Sequence, residues 1–584
     1  MMNRLKIFTI ALFASILFSC DDYLTQIPET LVSDPAFWKT EADFKDAASD
    51  FYRDLKGYDA DDMNSDIFCW YGNAAPTSVS RGDISIPVKD DRYSELYKFI
   101  RKTNYLLEKA KDFPDQNKIK PYIAEAHFFR AYHYLRLFES YGGVIIVERP
   151  LDLNSPELKI ARSDRETTFK FIIDDLDKAI SGLPWENQIS SSDKGRVSKQ
   201  AAYGLKARIS LFEGTWRKFR GRGNWEKLLE DAVTCSDEVI KSNRYQIFNF
   251  PQAISTSLSG GLGIYSYKYL FILDNVQCNW ASKTKADNKE YILSQRLDRN
   301  AGIVKEGLTY IQYFSPTKKL MDMYLCRNGL PIHYNNRNND QFLGYGTYNS
   351  EYQNRDTRLT SVVQQQDSLY YGPGVMSLWG NPNPVATAYN NRFGAASVTG
   401  YYCNKFVEET NNASQSYDLP EIRYAEVLLT YAEALYERYG SISDEDLSKS
   451  INLLRERGQV TGLTNALVND NGLDMRTQIR NERTVELQME GFRLKDLKRW
   501  NTAREEMPQS ICGFYIANRS PWARKFGAFK TDENGFYLYQ SSENRQWFDY
   551  YELYPLPSQE IELNSNLKQN PGYYGADPDN TIVY

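Results

Sequence analysis

The stretch Asn117–Tyr141, NKIKPYIAEAHFFRAYHYLRLFESY, decides the fold class. Apolar side chains recur at Ile119, Ile123, Ala126, Phe129, Tyr132, Leu135 and Phe138, in steps of three and four that put them on one face of a helix. Two other stretches repeat the pattern: Ala202, Leu205, Ile209 and Phe212 within Ser198–Gly214, and Ile422, Ala425, Leu429, Ala432, Leu435 and Tyr439 within Pro420–Gly440. Alanines inside these faces let a second helix come close. Gly142-Gly143, Gly214 and Gly440 stand at the C-terminal ends, where a left-handed cap favours glycine. Each helix has a partner candidate, at Asp164–Leu183, Asn224–Lys241 and Asp444–Arg457, and further helices are expected over Glu41–Gly57, Tyr93–Phe113 and Met475–Glu490. Paired helices with small residues at the crossings predict an all-α chain of tetratricopeptide-like helical hairpins. The repeats are degenerate and keep no fixed period, so helical packing without repeats is the alternative.

Between 247 and 418 the helical periodicity fades. Gly, Asn and Tyr take over, with aromatic clusters such as Tyr345-Gly-Thr-Tyr348 and Tyr370-Tyr371-Gly-Pro373, and a second such region runs from Pro508 to Tyr551. Loops this long are usually functional or disordered, and their aromatic content argues against disorder. The chain therefore divides into a leader over 1–19, a helical region over 20–246, a loop-rich aromatic insertion over 247–418 and a second helical region over 419–584, with 20–584 expected to pack as one unit.

The 584 residues are 42% hydrophobic and 25% charged, an ordinary globular composition. Net charge is −6, and loss of the leader with Arg4 and Lys6 brings it to −8. Such an acidic chain lacks the basic footprint that nucleic acid requires. Only His127, His133 and His333 could supply imidazole chemistry.

Arg4 and Lys6 precede a twelve-residue apolar run, Ile7–Phe18. It is too short to span a bilayer, which takes about 20 residues, and has the shape of a signal-peptide core. The run ends in Leu17-Phe18-Ser19-Cys20-Asp21-Asp22, which resembles a bacterial lipobox with Phe18 bulkier than usual. Cys20 is thus the expected lipidation site, with a plain secretory signal as the alternative. Cys69, Cys235, Cys278, Cys326, Cys403 and Cys512 form no CxxC, which removes zinc-knuckle and redox readings.

Several motifs resemble one family, the SusD/RagB outer-membrane nutrient-binding lipoproteins of Bacteroidetes. Cys20-Asp21-Asp22-Tyr23-Leu24 is similar to its mature start. Ala124–Tyr132 with Tyr141-Gly142-Gly143-Val144, Arg196–Arg208 and Arg423–Leu429 are similar to its helices. Asn481-Glu482-Arg483 followed by Glu486–Trp500 is similar to its C-terminal signature, and Pro555–Ile561 and Asn566–Tyr573 to its closing segment. The resemblance implies an all-helical core with a loop-rich ligand-binding face. It also implies a surface-exposed, lipid-anchored outer-membrane protein that captures oligosaccharide, or in some members peptide, for a SusC-like TonB-dependent transporter. It implies binding without catalysis; a secreted glycoside hydrolase is the rival of a different class.

Glu482, Glu486 and Glu490 share a helical face, which could suggest acid–base catalysis. Arg483, Arg493 and Arg499 beside them favour an ion-pair network. His127 and His133, six apart, cannot face one metal from a straight helix, and neither a metal nor a cofactor is expected. Gly260-Gly261-Leu-Gly263 reads as a turn. The functional candidates are aromatic, because flat rings cover the C–H face of a sugar while polar neighbours bond its hydroxyls. Trp70 and Tyr71 lie in an expected loop with Asn73, Arg81 and Asp83 nearby, and Trp280 and Trp379 lie in the loop-rich region. Trp70, Tyr71, Arg81, Trp280 and Trp379 are the predicted ligand-binding residues. Because two of the three histidines fall on a scaffold helix, binding is expected to change little between pH 6 and 8.

Overall fold

The computed structural model describes residues 37–70, 77–252, 261–274, 279, 281–306, 314–347, 349–363, 397–408, 414–516 and 530–576. The longer helices are α1 (Glu41–Asp50), α2 (Asp91–Ala110), α3 (Gln116–Tyr141), α4 (Arg165–Gly182), α5 (Lys199–Lys218), α6 (Trp225–Lys241), α7 (Tyr424–Tyr439) and α8 (Met475–Leu487). Short polar residues start many of them. Thr40 and Asp43 form a capping box on α1, while Asp90, Asp164, Ser198 and Asp474 accept the first free amides of α2, α4, α5 and α8. Helices adjacent in sequence pack together in turn, α2 on α3, α3 on α4, α4 on α5 and α5 on α6. The array continues across the loop-rich segment, with α6 on α7 and α7 on α8. The alanines sit at the crossings: Ala124, Ala126, Ala201, Ala202, Ala425 and Ala432 are all buried in the one core these helices share. This is the all-α, tetratricopeptide-like architecture read from the sequence.

Four local expectations differ. Gly214 is not a cap: α5 runs on to Lys218, and a Cβ at Gly214 would stand 2.9 Å from Leu229 of α6, so this glycine sets the helix–helix distance. The segment expected to open a helix at Pro420 is instead a strand up to Arg423, because its partner at Tyr291–Gln295 lies far away in sequence. The stretch from Asp444 breaks into Asp444–Ser448 and Ile451–Arg457. The first helix tightens into a 3₁₀ turn at Phe51–Asp54.

Short strands punctuate the loop-rich regions: β1 (Phe68–Trp70), β2 (Tyr291–Gln295), β3 (Lys305–Glu306), β4 (Phe314–Pro316), β5 (His333–Tyr334), β6 (Arg337–Asn338), β7 (Ser414–Gln415), β8 (Leu419–Arg423), β9 (Ile511–Tyr515) and β10 (Phe536–Gln540). They pair antiparallel as β1–β4, β2–β8, β3–β7, β5–β6 and β9–β10. Segment 397–403 bridges two of these pairs: the Val398 amide donates to Ser315 Oγ, Cys403 to the Phe314 carbonyl, and Phe514 to the Thr399 carbonyl. A continuous layer results, running from β1 through β4 and 397–403 to β9 and β10.

A buried ion cluster fastens this layer to the helices. Glu486 accepts from Arg358 at 2.9 Å, from Arg423 at 2.8 Å and from Arg457. Glu482 holds Arg358 at 2.5 Å and Arg455 at 2.9 Å. Glu490 holds Arg423 at 2.7 Å and Lys405 at 2.8 Å. Glu290 joins Arg423 and Arg457, and Asp356 closes on Arg358. Burial alone would raise the Glu486 carboxyl, but Arg457, Arg423 and Arg358 override it and hold it well below the usual carboxylate range. The acidic row at 482, 486 and 490 is therefore structural, although α8 ends at Leu487 and carries Glu490 past its end rather than on the expected shared face.

Glu486→Gln leaves three buried guanidinium groups short of a charge. It should lower unfolding stability by about 3–5 kcal/mol, read from urea unfolding at pH 7; a loss below about 1 kcal/mol would show that the arginines find other partners. His133 supplies a second expectation. It is fully buried beside Phe99 and Tyr132, and neither ring nitrogen finds a hydrogen-bond partner among the described residues. Burial, with Arg136 and Lys102 nearby, holds its protonation well below the normal range. The unfolded chain takes up that proton near pH 6.5 and the folded chain does not, so folding loses up to about 1.4 kcal/mol per pH unit below 6.5. Between pH 7 and 5, His133→Leu should gain about 2 kcal/mol on the parent; parallel stability curves would mean the imidazole is charged inside the fold.

Candidate functional site

An open depression of about 670 Å³ lies on the loop-rich face, lined by Lys318, Asp322, His333, Tyr345, Gly346, Tyr515, Asn534 and Phe536. Three local structures build it. Thr317 accepts the Leu320 amide and starts a short helix, Lys318–Met323, on which Lys318 and Asp322 stand one turn apart as an ion pair. Asn335 and Asn336 both take positive φ, 48° and 56°, between β5 and β6, as a two-residue type I′ hairpin requires. That hairpin carries His333, whose Nδ1 is 2.7 Å from Asn338 Oδ1. Asn339, buried, donates through its amide to the Leu330 and Pro331 carbonyls and anchors the loop that leads to Tyr345.

The third structure is the β9–β10 pair, in which Tyr515 stands opposite Phe536. Asp532 Oδ1 accepts the amides of Asn534 and Phe536 and so shapes the turn into β10. Gly535 completes that turn at φ 86°, and a Cβ there would come within 2.9 Å of the Tyr515 ring. The rings form a corner. Tyr345 stacks on Tyr515 at 5.3 Å and 26°, and Phe536 meets them edge-on at 4.9 and 5.4 Å. The Lys318 ammonium lies 4.3 Å from the Phe536 centroid and 5.2 Å from that of Tyr345. Burial, then the Asp322 and Glu351 carboxylates, push the Tyr345 phenol up, so it stays neutral at any ordinary pH. Half-buried rings with an amide, a carboxylate and an imidazole at the rim have the composition that a sugar needs: flat apolar faces for C–H groups and fixed polar groups for hydroxyls.

A second depression, about 590 Å³ between α2, α3 and α4, contains Leu107, Ile123, Ile146, His127 and Arg130 but no Phe, Tyr or Trp. It lacks a stacking surface. His127 there is held at 2.8 Å by Asp175, which also takes both ends of the Arg130 fork.

The residues chosen from sequence fare unevenly. Trp70 is not in a loop: it ends β1, opposite Phe314, and its half-buried ring meets Phe314 edge-on at 5.1 Å. Arg81 ends a short helix, Ser78–Arg81, with Asp83 at 3.5 Å, and its carbonyl accepts the Gln546 amide. Tyr71, Trp280, Trp379 and Cys20 lie outside the described residues. Trp70 and Arg81 do not line the aromatic depression, although β10 connects the two places. Burial pushes the Tyr539 phenol up, Cys69 adds to it and Arg81 opposes it, which puts this end of β10 within electrostatic reach of Cys69 and Arg81. His333, the histidine off the scaffold, is at the rim. Sequence reasoning flagged the cluster containing Tyr345 but missed Tyr515 and Phe536. Their signal was the aromatic run Phe536-Tyr537-Leu538-Tyr539 directly after Asn534-Gly535.

Comparison with known proteins settles the family. Residues 280–573, half of the chain, match the SusD family. The chain belongs to the SusD family. Residues 22–211 also match a SusD-like family described as starch-binding and associating with the outer membrane. Two SusD-like relatives come from Formosa agariphila. P25 is 25% identical over 255 residues, spanning 40% of this chain and under half, 46%, of its own length. P38 is 24% identical over 535 residues, 86% of this chain and 92% of that one. The crystal structure of a SusD-like carbohydrate binding protein from Bacteroides fragilis, 22% identical, superposes with a TM-score of 0.70 over 91% of this chain and all of that one. Both depression-building segments, 318–346 and 515–536, fall within the matched SusD region.

Proposed function

We propose that this SusD-family protein binds oligosaccharide in the aromatic depression and holds it without chemistry. The observation that carries the reading is the corner made by Tyr345, Tyr515 and Phe536 with Asp322, His333 and Asn534 at its rim. The description of the second matched family as starch-binding and the printed name of the Bacteroides fragilis neighbour support it. On this reading 20–584 works as one unit: helical regions 20–246 and 419–584 carry the recognition face contributed by 247–418 and 508–551. Trp70, Tyr71, Arg81, Trp280 and Trp379 remain proposed contacts, with Trp70 and Arg81 reached along β10. The protein is anchored through a lipid on Cys20 at the outer-membrane surface, and passes its ligand to a SusC-like TonB-dependent transporter. The acidic composition and the absence of any described helix long and apolar enough to cross a membrane agree with a lipid tether as its membrane contact.

Two measurements test this. Tyr345→Ala and Phe536→Ala should each weaken oligosaccharide binding five- to 150-fold, about 1–3 kcal/mol on the scale of aromatic stacking, with the thermal midpoint retained. Calorimetry with the tightest oligosaccharide reads the effect, and Trp70→Ala and Arg81→Ala in the same assay report whether the site extends along β10. Wild-type affinity in folded Tyr345→Ala and Phe536→Ala would move the site elsewhere. Separately, Cys20→Ala should shift the protein from the membrane fraction to the soluble one; retention in the membrane would refute the anchor.

A further inference from the structure

The charges around the depression are presented unequally. Lys318 and Asp322 neutralise each other, but the Lys318 side chain is only 10% exposed and its ammonium is covered by Phe536 and Tyr345, whereas Asp322 is 41% exposed. An entering ligand meets the carboxylate before it meets the cation. The turn that bears Asn534 also bears Asp532 and Glu533, with Lys530 at its start. Asp532 spends one oxygen on the turn amides. The chain as a whole carries −6.

A uronate or sulfate group brought against these rings would lose water beside Asp322. Among the described lining residues, the one lasting cation is already held by that same carboxylate. Taking Lys318 from Asp322 gains nothing, because it strips Asp322 of its counter-charge next to a second anion. An uncharged sugar meets no such conflict: a hydroxyl can donate to Asp322, another can share the Asn534 amide, and the ring face lies on the aromatic corner.

We infer that the depression selects uncharged glycans over anionic ones and that Asp322 sets this preference. The inference rests on the reading of the depression as a glycan site. Its test is calorimetry on the full chain at pH 8, with maltohexaose, laminarihexaose, xylohexaose and mannohexaose against hexagalacturonate and a chondroitin sulfate hexasaccharide. Binding should be confined to the uncharged set, with affinity changing less than about twofold between 50 and 300 mM NaCl. Asp322→Asn should weaken the uncharged ligand, whose hydroxyl loses its carboxylate acceptor, and still narrow the gap to the anionic ligands by about tenfold. A wild-type protein that prefers an anionic hexasaccharide overturns the inference and leaves the glycan reading standing. An unchanged ratio in folded Asp322→Asn removes Asp322 as its cause. Failure to bind either set overturns the glycan reading and this inference with it.

Discussion

A carboxylate withdrawn from water has to recover its lost solvation from cations, and Glu486 recovers it from Arg358, Arg423 and Arg457 together. Those three arginines come from a short helix in the loop-rich segment, from the end of β8 and from the end of Ile451–Arg457. Around them Glu290, Asp356, Glu482, Glu486 and Glu490 face Arg358, Lys405, Arg423, Arg455 and Arg457, equal numbers of each sign, all but excluded from solvent. None of these charges is stable there alone, so each element must arrive in register for the rest to be tolerated. The cluster thereby does what an apolar core does poorly: it specifies one position for segments with little regular structure.

That specification reaches the proposed ligand face by a short covalent path. Lys405, buried and bonded to Glu490 and the Gln488 carbonyl, lies two residues beyond the segment 397–403 that bridges β4 and β9. β9 carries Tyr515, and β4 leads directly into the helix that carries Lys318 and Asp322. Two of the three structures that build the depression are therefore tied to the same buried charges within a few residues. At the N-terminal side, Arg493 makes a two-pronged contact with Asp66 at 2.8 Å and donates its backbone amide to the Asp62 carboxylate, which fixes the approach to β1 and Trp70. The loop-rich face proposed for recognition is held by guanidinium–carboxylate geometry rather than by strands of any length.

The helices were legible in sequence because their information is local. Seven apolar positions at helical spacing suffice to place α3 to within a residue at its start, and the buried alanines announce where neighbours cross. Where local periodicity and distant pairing compete, the sequence misleads. Ile422 fits the helical face of the following residues, yet it is a strand residue because Leu293 lies opposite it. Gly214 resembles a terminus because glycine commonly is one, and only the nearness of Leu229 reveals its actual role. The function of the Glu482–Glu490 row was legible for a different reason: acids at helical spacing among arginines have few outcomes other than pairing.

The proposed binding face was legible as texture and not as residues, and the reason lies in how this chain spends its aromatic side chains. Tyrosine is abundant throughout, so a cluster in sequence does not distinguish a ring set against a core from a ring at a rim. Trp70 satisfied every local criterion and packs on Phe314, while Tyr515 and Phe536 satisfied none singly and meet across a strand pair. Their meeting depends on Gly535, whose missing side chain makes room for the Tyr515 ring, and on Asp532, which holds the turn from within. Stacking surfaces for a sugar need rings whose mutual angle is fixed before the ligand arrives, since each ring ordered on binding would subtract from affinity. A turn that locks two rings against a third meets that requirement. On the proposed reading, the turn Asp532–Gly535 belongs to the recognition element as much as the rings it sets.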